Sequence, residues 1–115
     1  MGCRGNIVIT QDSGKAPLYF YTHWEGYKIK QVLQDALKRG KGRWGDDPYL
    51  ARIIFCEMIQ NDVLNKTGFG ISTFECDNDG ENPIVYVSIP DQTVKVAGVI
   101  NTFAEFCDLK FTDGG

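Results

Sequence analysis

His23-Trp24-Glu25-Gly26-Tyr27 brings the single histidine, one of two tryptophans, an acid and a phenol into five consecutive positions. An imidazole titrates near neutral pH, so His23 can serve as a general base, with Glu25 as acid and Tyr27 as proton donor. The same residues can also bind without reacting, because Trp24 and Tyr27 offer faces on which a ring or base stacks. No nucleophile stands in a recognised arrangement: Ser72 and Ser88 fall in strand-like runs, and no GxSxG occurs. A binding loop is therefore the leading reading, with no catalytic residue assigned. A small hydrolase acting on nucleotides through His23 and Glu25 is the alternative.

Two further segments carry residues of the kind that hold ligands. Thr67-Gly68-Phe69-Gly70-Ile71-Ser72 exposes backbone amides and hydroxyls. It lacks the GxxxxGK[ST] and GxGxxG spacings that cradle phosphates. Its glycines either let a ligand approach or lie beneath a large side chain such as Trp24. Gly40-Lys41-Gly42-Arg43-Trp44 is basic and aromatic, suited to a phosphate or carboxylate and a stacked ring. Arg52 stands among apolar neighbours, where its guanidinium needs a partner. That partner is either an anionic ligand or one of Asp46, Asp47 and Glu25. The candidate contact residues are thus His23, Trp24, Tyr27, Arg43, Trp44, Arg52, Thr67, Gly68 and Gly70.

The elements that must position these residues follow from periodicity. Asn6–Thr10 and Pro17–Thr22 read as a hairpin around the turn residues Asp12 to Lys15. Lys28–Arg39 reads as a helix with Ile29, Val32, Leu33, Ala36 and Leu37 on one stripe and Gln34 on the polar face. Asp47-Pro48 starts a second helix, to about Gln60, with Asp47 as cap and Cys56 among core residues. Phe69–Cys76 and Pro83–Ile89 read as antiparallel partners across a turn at Asp77–Asn82, and Thr93–Val96 as a last strand. Thr102 caps a short helix that sends Phe103 and Phe106 to the core, and 112–115 forms a frayed tail. The expected fold is α+β: one domain over residues 1–115, an antiparallel sheet of about five strands with two main helices on one face.

Composition narrows the function classes. The chain has 115 residues and a net charge of −3, which argues against direct nucleic-acid binding by phosphate neutralisation. No apolar run suits a membrane span or a signal peptide, so a cytoplasmic protein is expected. Cys3, Cys56, Cys76 and Cys107 show no CxxC spacing, and one histidine completes no common zinc pattern. Glu75 to Gly80 mimics the first half of a calcium loop but lacks its closing glutamate, so no metal or cofactor is expected.

Several blocks, MGxRxxI, LYxYTHWxGY, RWxDxPYLARIIFCEMI and TGFGIS, together with a DN…PIV strand, span most of the chain. Jointly they resemble a family of small proteins of phages and prophages. The resemblance implies an origin rather than a mechanism. By analogy, it suggests an accessory factor that counters host defence by binding. The partner would be a nucleotide second messenger, or a CRISPR effector inhibited as by an anti-CRISPR protein. The acids Asp77, Asp79, Glu81, Asp91, Asp108 and Asp113 would suit a basic channel on such an effector. Homo-oligomerisation would cover the free face of the sheet.

Overall fold

Residues 4–12, 14–74 and 82–111 are described in a computed structural model of the chain. A continuous apolar run, Ile7-Val8-Ile9, makes the buried strand β1 (Gly5–Thr10), and the aromatic run Leu18-Tyr19-Phe20-Tyr21 makes β2 (Leu18–Thr22), which pairs with it as an antiparallel hairpin. A short 3-10 turn at Gly26–Lys28 leads into α1 (Ile29–Arg39). A second 3-10 turn at Lys41–Arg43 leads into α2 (Asp47–Ile59). The chain continues through β3 (Phe69–Ser72), β4 (Val85–Ser88), β5 (Thr93–Val96), β6 (Val99–Thr102) and α3 (Phe103–Cys107). The sheet has six strands in the order β3-β2-β1-β4-β5-β6.

One face of the sheet carries the core. Ile7, Ile9, Phe20, Val85, Val87, Ile89 and Val94 pack against Ile29, Leu33, Ala36 and Leu37 of α1, Leu50, Ala51, Ile54 and Met58 of α2, and Phe103 and Phe106 of α3. These apolar side chains recur at helical spacing on the helices and at alternate positions on the strands. The α+β architecture with two main helices on one face is as the sequence predicts. The short helix is also as predicted: Thr102 caps it by accepting from the Glu105 amide, and Glu105 returns the bond to the Thr102 amide.

Four details differ. β4 does not pair with β3; it lies parallel to β1 and antiparallel to β5. Val85 and Val87 are at most 1% exposed, and burial of that degree needs a central position with helices above it. A sixth strand follows β5 through Ala97 and Gly98, both at positive φ, as a two-residue hairpin turn requires. Gln34 is buried, because α3 covers that side of α1. Its amide donates to the Phe106 and Leu109 carbonyls at 2.9 and 2.7 Å. Asp47 is the first residue of α2 rather than its cap, and its carboxylate turns away to accept from the Asp12 amide and Lys15. The acidic stretch 75–81, with its calcium-like spacing and Cys76, lies outside the described residues, as do Cys3 and the tail 112–115.

Candidate functional site

The His23–Tyr27 loop is tied down at both ends. The Thr22 hydroxyl accepts from the Trp24 and Glu25 amides at 3.4 and 3.2 Å, which turns the chain as β2 ends. The His23 amide donates to the Gly68 carbonyl at 2.9 Å. Gly26 is buried where a Cβ would strike the Arg4 carbonyl and approach within 2.6 Å of the Asn82 amide nitrogen. Asn82 itself donates to that Arg4 carbonyl at 2.8 Å. Gly26 therefore serves close backbone approach, holding the loop against the start of β1.

The two glycines of the TGFGIS block lie under aromatic rings. A Cβ on Gly68 would stand 2.5 Å from Cζ3 of Trp24, and one on Gly70 would overlap the Tyr21 ring. His23 stacks on Tyr21 with centroids 5.4 Å apart and meets Trp24 edge-on at 6.2 Å. Tyr21, His23 and Trp24 thus form one aromatic corner laid across the end of β3, on the sheet face away from the helices. Trp24 remains 49% exposed there. Of the two readings of these glycines, the structure supports room for Trp24 and Tyr21 over a phosphate cradle. Thr67 is exposed, its amide held by the Asn65 side chain at 3.2 Å.

β3 is an edge strand, and among the described residues no strand pairs with its outer side. Its register fixes which backbone groups point outward. The His23–Gly68 bond continues the β2–β3 register, in which Tyr21 faces Gly70 and Tyr19 faces Ser72. In an antiparallel ladder, hydrogen-bonded pairs alternate with non-bonded ones. The amides and carbonyls of Phe69 and Ile71 therefore point away from β2. Ile71 is 57% exposed, and its side chain helps line an apolar groove of about 480 Å³ on the helix side. Leu18 and Phe20 of β2 and Ala51 and Phe55 of α2 line the same groove, with Arg52 among its lining residues.

Arg52 is exposed rather than set among the core residues, so solvent serves its guanidinium and it takes none of the partners expected for it. Asp47 is taken by Lys15 at 3.2 Å, Asp46 by Arg43 at 3.5 Å, and Glu25 lies 3.9 Å from Lys28. Glu57, also on α2, is buried against Arg39 at 2.8 Å. Cys56 does not join the core either; it is exposed and lines the groove one turn beyond Arg52. The spacing Arg52, Cys56, Gln60 marks a polar stripe at i, i+4 and i+8, and that signal was present in the sequence.

The basic link does not meet the aromatic corner. Trp44 donates its indole N–H to the Leu37 carbonyl at 2.8 Å and packs edge-on against Phe103 at 5.4 Å. It satisfies one of the carbonyls left open at the end of α1. Arg43 sits 5.1 Å from the centroid of the Tyr49 ring. The His23–Tyr27 loop precedes α1 and the link follows it. The 11 residues of α1 hold them apart by about 16 Å. Tyr27 is 43% exposed, with Lys28 5.5 Å from its ring centroid. The cavity beside this loop, about 230 Å³, is lined by Glu25, Glu57 and Asp62 along with Lys28. Three carboxylates there disfavour a phosphate.

Two groups have displaced acidities. Burial would raise the Asp47 carboxyl, but the Asp12 amide and the Lys15 ammonium outweigh it and hold the group below its ordinary 3.8. Burial pushes the Cys107 thiol up, which makes it a poor nucleophile. Among the described residues no group of three or more His, Cys, Asp or Glu side chains could hold a metal ion. No described helix is long and apolar enough to cross a membrane. In comparison with known proteins, no family model, curated protein or solved structure matches the chain.

Proposed function

We propose that this protein is a phage-type accessory factor that acts in the host cytoplasm and counters a defence system by binding a protein, a CRISPR effector being the partner class. The observation that supports binding is the half-exposed Trp24, which occupies the space above Gly68 and is met edge-on by His23, itself stacked on Tyr21. An aromatic side chain already fixed in place loses little entropy on association, and such residues carry most of the energy of protein interfaces. Ile71 and Phe74, 57% and 65% exposed, lie in and just beyond β3, and Ile71 gives the helix side of the same edge strand an apolar surface of its own. The phage origin rests on the resemblance of the sequence blocks. Sequestration of a nucleotide is the weaker version, because the cationic link stands at the far end of α1 and the cavity by the loop is acidic.

The test is co-expression with an active CRISPR effector, followed by capture of the purified effector and a count of phage plating. Wild-type protein should capture the effector and restore plating. Trp24→Ala should weaken capture at least tenfold while circular dichroism shows an intact fold. Calorimetric heat with cyclic nucleotides, without capture, would replace this reading by sequestration. Neither capture nor heat would end both.

A further inference from the structure

We infer that the β3 edge and the adjoining groove form a receptor for one extended peptide segment of a partner protein, with an apolar residue and an acidic residue on the face that meets the groove. This deepens the binding reading above and rests on it.

Three observations converge on this edge. The outward amides and carbonyls of Phe69 and Ile71 offer a ladder to an added strand, as follows from the β2–β3 register. Beside that ladder lies the groove of about 480 Å³, floored by Leu18, Phe20, Ala51, Phe55 and Ile71. Its size lies within the range of pockets that bury a small ligand, which leaves room for the side chains of a short peptide segment. Arg52 lines the same groove, and the acids nearest to it on α2 and its leading turn already serve Lys15, Arg39 and Arg43.

Charge decides the chemistry of the occupant. Arg52 is exposed in the free chain, but a strand laid over the groove would cover it, and a carboxylate on that strand would then meet the guanidinium with less water competing. A purely apolar segment would leave that cation desolvated and unpaired. Geometry decides its form. In a strand laid along β3, side chains at i and i+2 face the same side, roughly 7 Å apart. One can enter the groove at Ile71 while the next carries a carboxylate towards Arg52. The side chains between them point to the opposite face, where Tyr21 and Trp24 lie. One strand would therefore engage both the groove and the aromatic corner.

The experiment is to pan a library of random ten-residue peptides on the intact chain and sequence the bound pool. Bound peptides should be enriched for an acid two residues from an aliphatic or aromatic residue. They should also slow alkylation of Cys56, which is exposed in the groove and read by peptide mass mapping. Arg52→Gln should abolish the acid enrichment and weaken the best peptide roughly tenfold. Ile71→Pro removes an outward amide without touching the β2 ladder, a place where an edge strand tolerates proline. It should abolish binding while the thermal melt stays cooperative. If Ile71→Pro fails to fold, the Arg52→Gln comparison decides alone. An acid preference unchanged in Arg52→Gln, or no enrichment at all, overturns the proposal. Protection of Cys56 by decanoate but by no peptide also overturns it, making the groove a small-molecule site. If Arg52→Gln still captures the effector and Trp24→Ala does not, this inference fails and the binding reading stands. If the wild-type chain itself captures no effector, the binding reading fails; if both variants capture it as wild type does, binding stands and this surface is overturned as its site.

Discussion

Gly68 shows how a single residue can set a site by what it lacks. Its φ of +103° lies in the region that L side chains rarely adopt, and the Trp24 ring occupies the space a Cβ would need. Gly68→Ala must therefore strain the backbone, lift the ring, or both. Its expected cost is about 1–3 kcal/mol in urea unfolding, with a change in tryptophan fluorescence as Trp24 moves. Gly42→Ala is the control, since nothing lies within 4 Å of a Cβ there; it should stay within about 0.5 kcal/mol of wild type. Equal costs at the two positions would mean that Trp24 is not fixed on Gly68. The pairing of Trp24 with Gly68 was legible in the sequence, because glycine near an aromatic run marks a close approach. The role of Trp44 was not, since a tryptophan in a basic link reads alike whether it stacks on a ligand or closes a helix.

Elements were legible wherever their signals are local. The hairpin, both main helices and the capping of α3 follow from spacing within a dozen residues. Pairing of β4 with β1 joins Ile7 to Val85 across most of the chain, and no local pattern encodes it. The sixth strand was missed because Ala97-Gly98 is a weak turn signal: alanine disfavours the positive φ of +51° it adopts. That compromise is open to test. Asparagine enters the left-handed region more readily, and Asn-Gly is the favoured pair for such a turn. Ala97→Asn should therefore stabilise the fold by roughly 1 kcal/mol, read as a higher midpoint in urea. A lower midpoint would mean that β5 and β6 are not joined by this turn. The groove likewise emerges only when α2 meets the β2–β3 edge, so sequence alone shows Arg52 as a cation without showing the surface it serves.

At the scale of the molecule, polar contacts near each end of α2 supplement the core, one fastening it to the β1–β2 turn and the other to α1. Near the start of α2, Asp47 accepts from the Asp12 amide at 3.1 Å and Lys15 at 3.2 Å, clasping the β1–β2 turn. Towards its other end, Glu57 binds Arg39 and so joins α2 to α1. The Asp47 clasp has a definite pH signature. Its carboxyl is held below its ordinary 3.8 in the folded chain, so the unfolded chain binds the proton at higher pH than the folded one. The stabilisation is therefore complete above the unfolded value and is lost as pH falls through the lower, folded value. Asp47→Asn keeps the shape and removes the charge. At pH 7 it should lower unfolding stability by about 1–2 kcal/mol, as expected for losing a charge-assisted hydrogen bond. Below pH 4 the gap to wild type should shrink, because the wild-type carboxyl then becomes neutral as well. Urea unfolding between pH 7 and pH 2.5 measures the gap directly. A constant gap across that range would show that the charge of Asp47 contributes nothing and that the clasp is held by shape alone.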